Sequence, residues 1–158
     1  MQSTLVQALR AQRPRILRRW TALLRAEGAT TPLAHPDTLV HLIDWTFDEV
    51  LRGLATGSRQ RPAARKFRAH PRPDCACGRN PLLHFFIAGE QALLEALVLA
   101  QSADLRLQPV ERDNALTELH LRIRALARAE VSTLCSLCQH RPGRSAGHTT
   151  QTLALSRL

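Results

Sequence analysis

The chain is poor in aromatic residues, in lysine and in long apolar runs. Its 158 residues include no tyrosine, two tryptophans and four phenylalanines, and Lys66 is the only lysine. The net charge of +9 therefore comes almost entirely from arginine. Apolar stretches such as residues 92–100 are too short to cross a bilayer, and arginines interrupt the N-terminal segment, which leaves no signal-peptide core. These absences predict a soluble cytoplasmic protein without a membrane partner.

Alanine, leucine and arginine dominate the residues that are present. Apolar residues make up 44% of the chain and charged residues 22%, which is ordinary for a globular protein and excludes disorder throughout. The length suits one domain, and the dominant residues favour helices because they lose little side-chain freedom in a helical backbone. We expect a helical domain over residues 1–140 and a flexible tail over residues 141–158.

Four segments carry apolar residues at helical spacing, and breakers separate them. They cover residues 3–26, 35–55, 80–101 and 109–138. Pro14 either kinks the first helix or begins a second helix after a short first one. Asn80 and Pro81 form a cap followed by proline at the first helical position. The pattern predicts an all-α fold, an antiparallel four-helix bundle of the up-down or globin-like kind.

The apolar positions also predict which side of each helix faces the core. In the second segment these positions are Leu39, Ile43, Phe47, Val50 and Leu54. Gly89 lies in the middle of the third segment, where glycine costs about 1 kcal/mol relative to alanine. We interpret Gly89 as the point where another helix crosses closely.

The four cysteines are the clearest indication of chemistry. Cys75 and Cys77 precede the third helix, whereas Cys135 and Cys138 end the fourth. A short connection makes these two helices antiparallel neighbours, so the start of one lies beside the end of the other. The two cysteine pairs are therefore expected to converge at one end of the bundle.

Four converging thiolates suit a tetrahedral Zn²⁺ ion or an iron–sulfur cluster, and the spacing leaves both open. A cluster could respond to O₂, NO or redox state by being lost, while zinc would tie the loop to the bundle. A disulfide switch between the loop and the fourth helix is an alternative, as are four unrelated thiols. His70, His84 and His140 are possible substitute ligands, although surface or capping positions suit them better.

A basic loop is predicted over residues 57–79, between the second and third helices. Seven of its residues are basic and Asp74 is the only acid. Arginine suits phosphate recognition, so the loop raises nucleic acid or an acidic partner as an alternative function. Against nucleic acid, Phe67 is the only aromatic residue in the loop. The candidate contact residues are Arg59, Arg61, Arg65, Lys66, Arg68 and Arg72.

No catalytic pattern accompanies these features. The sequence has no glycine-rich phosphate loop after a strand and no Ser-His-Asp context. Cys75 and Cys77 also lack the strand–helix pattern of thioredoxin-like enzymes. We expect a protein that is not an enzyme.

A family resemblance adds a functional expectation. The segments ILRRWTALLRAEG and LVHLIDWTFDEVLRGL resemble the N-terminal helical sensor domains of the RsbR/RsbRD type, which precede signalling domains in bacteria. The resemblance extends over residues 5–135 as a helical plan. It implies a sensory or regulatory module, and it assigns no ligand residues. Since no kinase or output domain follows in this sequence, the expected receiver of a signal is a partner protein or a second copy in a homodimer.

Overall fold

The computed structural model describes residues 3–26, 28, 34–56, 80–103 and 107–137. Every regular element within these residues is helical, which confirms the all-α class. The elements are α1 (Ser3–Ala11), α2 (Arg13–Ala26), α3 (Pro36–Leu39), a 3₁₀ turn (Val40–Leu42), α4 (Ile43–Thr56), α5 (Pro81–Ala103) and α6 (Pro109–Leu137).

The first predicted helix is divided into two at Gln12. The Gln12 carbonyl accepts bonds from the backbone N–H groups of Arg15, at 2.9 Å, and Ile16, at 3.0 Å, and so begins α2. Pro14 then lies in the first turn of α2, where its missing N–H costs nothing. The short first helix followed by a second, one of the two alternatives from the sequence, is the arrangement found.

The second predicted segment is also interrupted. His35 caps α3, with its Nδ1 accepting from the Asp37 N–H at 3.4 Å, and the 3₁₀ turn then leads into α4. The predicted apolar positions Leu39, Ile43, Phe47, Val50 and Leu54 are all buried. The side facing the core was therefore predicted correctly although the helix is not continuous.

Helices α5 and α6 lie antiparallel along their length. At one end the Asn80 side chain bonds the Val131 carbonyl, and at the other the Gln101 amide donates to the Arg112 carbonyl at 3.1 Å. Helix α5 also packs against α1 and α2, while α4 packs against α1 and α6. The start of α5 and the end of α6 consequently occupy the same end of the molecule.

Helix α5 is the most apolar element. By length and composition alone, its 23 residues are long and apolar enough to cross a membrane. The uninterrupted apolar stretches of the sequence, such as residues 92–100, are shorter and did not predict this. Core helices of globular proteins have the same composition. In this fold α5 contributes to the core against its neighbours, and its fully buried residues include Phe85, Leu93 and Leu97.

Gly89 marks the close crossing of α2 over α5. A side chain at this position would collide with the ring of Trp20, which is buried. The Trp20 Nε1–H donates to the Phe85 carbonyl at 3.0 Å, and the Trp20 and Phe85 ring centroids are 5.0 Å apart. The crossing inferred from the glycine is therefore present, and an indole ring occupies the space.

Candidate metal centre

One of the four cysteines lies within the described residues. Cys135 is in the last turns of α6, half-buried and packed against the hydrophobic core. Cys75, Cys77 and Cys138 lie outside the described residues. The candidate site can therefore be built from Cys135 and from the elements that surround it.

Asn80 is the neighbour that defines the surroundings of Cys135. Its Nδ2 amide donates to Cys135 Sγ at 3.2 Å and to the Val131 carbonyl oxygen at 3.2 Å. Its Oδ1 accepts from the Leu82 N–H at 3.0 Å, which makes Asn80 the N-cap of α5. One amide thus joins the beginning of α5, the backbone of α6 and a cysteine sulfur.

The first turn of α5 lies beside the contact between Asn80 and Cys135. The start of a helix carries a partial positive charge. In the first turn of α5, Pro81 has no N–H, Asn80 Oδ1 accepts from the Leu82 N–H, and the Asn80 carbonyl accepts from the Leu83 N–H at 3.2 Å. An N–H donor directed at a metal-bound thiolate is the kind of outer interaction that orients ligands and tunes metal sites. The Asn80 amide is a donor of this kind beside Cys135 Sγ.

Chain length limits how far the other three cysteines can be from Cys135. Cys77 precedes Asn80 by three residues and Cys75 precedes it by five. An extended chain spans at most about 3.6 Å per residue, so Cys77 lies within roughly 11 Å of Asn80 and Cys75 within roughly 18 Å. Cys138 follows Cys135 by three residues. The convergence of the four thiols stays a prediction, because Cys135 alone of the four lies within the described residues.

The remaining predicted site residues fall elsewhere. Every candidate contact residue of the basic loop lies outside the described residues, as do His70 and His140. His84 is half-buried in the first turns of α5. Across residues 3–26, 28, 34–56, 80–103 and 107–137, no three side chains of histidine, cysteine, aspartate or glutamate cluster in a way that could hold a metal ion.

Charged groups elsewhere in the fold bond one another. Glu90 on α5 contacts the His120 imidazole and lies 3.5 Å from Arg124 Nε, both on α6. Arg13 bonds Asp48 at 2.6 Å and Asp44 at 2.8 Å. Each of these groups links two helices, and none is arranged as a nucleophile with its base.

A cleft of about 160 Å³ lies between α2 and α5, away from Cys135. Arg19 bonds Glu95 through both guanidinium nitrogens at its edge, at 2.8 and 2.9 Å. The hydrogen bonds from Arg19, and then from Gln91, lower the pKa of Glu95 to about 2. Arg15 also lines the cleft, so two arginines face the single carboxylate of Glu95 there.

Comparison with known proteins adds no relative. No protein-family model, curated protein or solved structure matches the chain. The class of the protein is therefore defined by its fold alone, as all-α. The proposal for its function depends on the residues around Cys135.

Asn80 is the site residue whose role the sequence did not reveal. The pattern Asn-Pro identified it as a helix cap, which the structure confirms. Its second role depends on a contact with Cys135, 55 residues further along the chain. The available signal was its position three residues after Cys77, at the junction between the cysteine loop and α5.

Proposed function

We propose that this chain is a small regulatory protein of the bacterial cytoplasm that binds one Zn²⁺ ion or one iron–sulfur cluster through Cys75, Cys77, Cys135 and Cys138. The observation that carries the proposal is the hydrogen bond from the Asn80 amide to Cys135 Sγ. This bond joins Asn80, three residues after Cys77, to Cys135, the first cysteine of the second pair.

The donor set fits the proposed ligand. Four cysteine sulfurs match a tetrahedral zinc site or a four-thiolate cluster, and both kinds of site use N–H donors around the sulfurs. When bound, zinc would supply a structural crosslink, and a cluster would supply a centre sensitive to oxidants. The hydrogen bond from Asn80 holds Cys135 beside the start of α5. A metal bound at Cys135 would therefore be linked to that helix.

The regulatory part of the proposal rests on the sequence resemblance to helical sensor domains and on the position of the site. A ligand set that joins the loop before α5 to the end of α6 would connect an antiparallel pair of helices in a four-helix bundle. Loss of the ligand would free the loop from α6. The proposed receiver of this change is a signalling protein or a second copy of the chain.

Metal analysis and visible absorption of anaerobically purified protein test the proposal. We expect either one zinc per chain without colour, or iron with sulfide and a visible absorption band. A C135S variant should lose most of the metal, whereas S136A, a change at the exposed neighbouring position, should retain it. Absence of both zinc and iron from the wild-type protein would refute the proposal. A mass lower by two hydrogen atoms under non-reducing conditions, restored by a reductant, would instead favour a disulfide switch.

A second candidate function, binding of nucleic acid, is favoured by the arginines of α1 and α2. Residues 3–26 include six arginines and no acidic residue. Salt bridges engage Arg13, Arg19 and Arg25. Among the described residues Arg10 and Arg18 form no salt bridge, and exposed Arg15 shares Glu95 with Arg19. We propose these three arginines as phosphate contacts.

Binding to a fluorescent DNA duplex at several salt concentrations tests this candidate. The R10A/R15A/R18A variant should bind more weakly and reduce the salt slope by about 3, one for each lost phosphate contact. The control A125E/A129E/S132E changes the net charge equally, at exposed positions of α6. Equal weakening by both variants would indicate attraction by net charge alone and would exclude a binding face on α2.

A further inference from the structure

The cleft between α2 and α5 has an apolar floor. Ile16 of α2 and the alanines Ala92 and Ala96 of α5 form this floor, and each of them is at most 4% exposed. Two alanines on one side of α5 leave a depression, because a methyl group fills less of the space between two helices than a longer side chain does. Leu99, which is 43% exposed, adds an apolar wall three residues after Ala96.

Three charged side chains, Arg15, Arg19 and Glu95, line the same cleft. The carboxylate of Glu95 is already engaged, since Arg19 donates to both of its oxygens and Gln91 donates to Oε1 at 2.9 Å. Within the described part of the chain, Arg15 forms no salt bridge, although its charge contributes to the lowered pKa of Glu95 after the hydrogen bonds from Arg19 and Gln91. With two arginines against one carboxylate, the cleft carries one positive charge in excess, and Arg15 supplies it.

We propose that this cleft binds an organic monocarboxylate, with the carboxylate on Arg15 and the apolar group against the floor. The single negative charge of the ligand matches the single positive charge in excess. The planar guanidinium of arginine can also donate two parallel N–H bonds to a carboxylate. An inorganic anion would pair with Arg15 equally well but would gain nothing from the apolar floor.

The volume of the cleft limits the size of the apolar group. The cleft measures about 160 Å³, and a cavity of about 150 Å³ lined by aliphatic and aromatic side chains accommodates one benzene molecule. The expected ligand is therefore a monocarboxylate whose apolar group has about six carbon atoms, in a chain or in a ring. This site is separate from the proposed metal centre and does not depend on it.

Titration of the isotope-labelled protein with hexanoate, followed by NMR, tests the proposal and locates the ligand. We expect saturable shifts of the amide signals of Ile16, Ala92 and Ala96. Affinity should rise by up to about 4-fold for each methylene added between butanoate and hexanoate, which is the value for complete burial of a methylene. The neutral hexanamide should bind about 10-fold more weakly than hexanoate, since it lacks the charge that pairs with Arg15.

Two pairs of variants separate the charge from the apolar contact. R15Q should weaken hexanoate binding by about 10-fold, because it removes the partner of the carboxylate. Its control is R18Q, because Arg18 is exposed on the same helix, forms no salt bridge with a described residue and does not line the cleft. L99A should weaken binding by about 3-fold through the lost apolar wall. Val98 is similarly exposed, at 47%, but lies outside the cleft, so V98A should leave the affinity unchanged.

Three results would overturn the proposal. Equal weakening by R15Q and R18Q would mean that net charge alone attracts the ligand. Equal affinity for acetate and hexanoate would mean that the floor contributes nothing to binding. Amide signals of Ile16, Ala92 and Ala96 that do not respond to hexanoate would show that the cleft is not the site. None of these results bears on the metal centre, which is tested by metal analysis.

Discussion

Gly89 shows how a single residue determines the distance between two helices. With no side chain at this position, the Trp20 ring lies directly against the backbone of α5. The buried ring also donates to a carbonyl of that helix. Gly53 on α4 is a useful comparison, since the group over it is the guanidinium of Arg122, whose side chain is 41% exposed.

The two glycines should respond differently to substitution by alanine. G89A gains about 1 kcal/mol of helix propensity but forces the rigid indole away, and overpacking costs about 1–3 kcal/mol, so we expect a net loss of unfolding free energy. G53A displaces only the end of a flexible side chain and should be neutral or stabilising by up to about 1 kcal/mol. Urea unfolding of both variants measures the difference. A G89A protein as stable as G53A would contradict the close crossing.

Residue pairing was the least predictable feature at this scale. Arg13 bonds the carboxylates of both Asp44 and Asp48 on α4, whereas Arg19 bonds Glu95 on α5. Arg13 is the first residue of α2, directly after the turn at Gln12, and Arg19 lies further along the same helix. Long side chains with several possible partners depend on such backbone details.

At the scale of elements, the sequence predicted where helices lie better than how they are divided. The apolar period identified α4, α5 and α6 and their core-facing sides, because burial of an amphipathic face leaves a regular trace. Caps placed the start of α5 at Asn80 and Pro81. Pro14 indicated the break at Gln12 as one of two alternatives, whereas the 3₁₀ turn Val40–Leu42 keeps nearly the same apolar spacing and left no trace in the sequence.

The contact between α2 and α5 predicts a pH dependence. The pKa of Glu95 is lowered to about 2 by its hydrogen bonds from Arg19 and Gln91, compared with 4.5 for an unperturbed carboxyl. A lowered pKa in the folded state stabilises the protein above about pH 4.5, and this contribution disappears as the pH falls towards 2. The contribution is small, because the side chain of Glu95 is 41% exposed.

Thermal unfolding of the wild type and of E95Q between pH 2 and pH 7 measures this contribution. We expect the midpoint difference between the two proteins to be constant near neutral pH and to shrink below about pH 4.5. R19Q should show the same pattern relative to the wild type, since it removes the other half of the pair. A midpoint difference that stays constant down to pH 2 would contradict the role of this contact.

At the scale of the whole molecule, the predicted site depended on the order of the helices and on the short connection between α5 and α6. The short connection between α5 and α6 made them antiparallel, and this arrangement is found. It follows that the beginning of α5 meets the end of α6, where Asn80 contacts Cys135. The sequence does not distinguish zinc from an iron–sulfur cluster as the proposed ligand, since thiolates bind both.

X-ray absorption at the metal edge of the anaerobically purified protein tests the four-cysteine site most directly. The proposal predicts one kind of metal site whose nearest shell consists of sulfur at about 2.3 Å, with four sulfurs for zinc. For an iron–sulfur cluster it predicts an iron edge with a sulfur shell and a neighbouring iron. A first shell of nitrogen or oxygen, or a protein without stoichiometric metal, would contradict the claim that Cys75, Cys77, Cys135 and Cys138 form one metal centre.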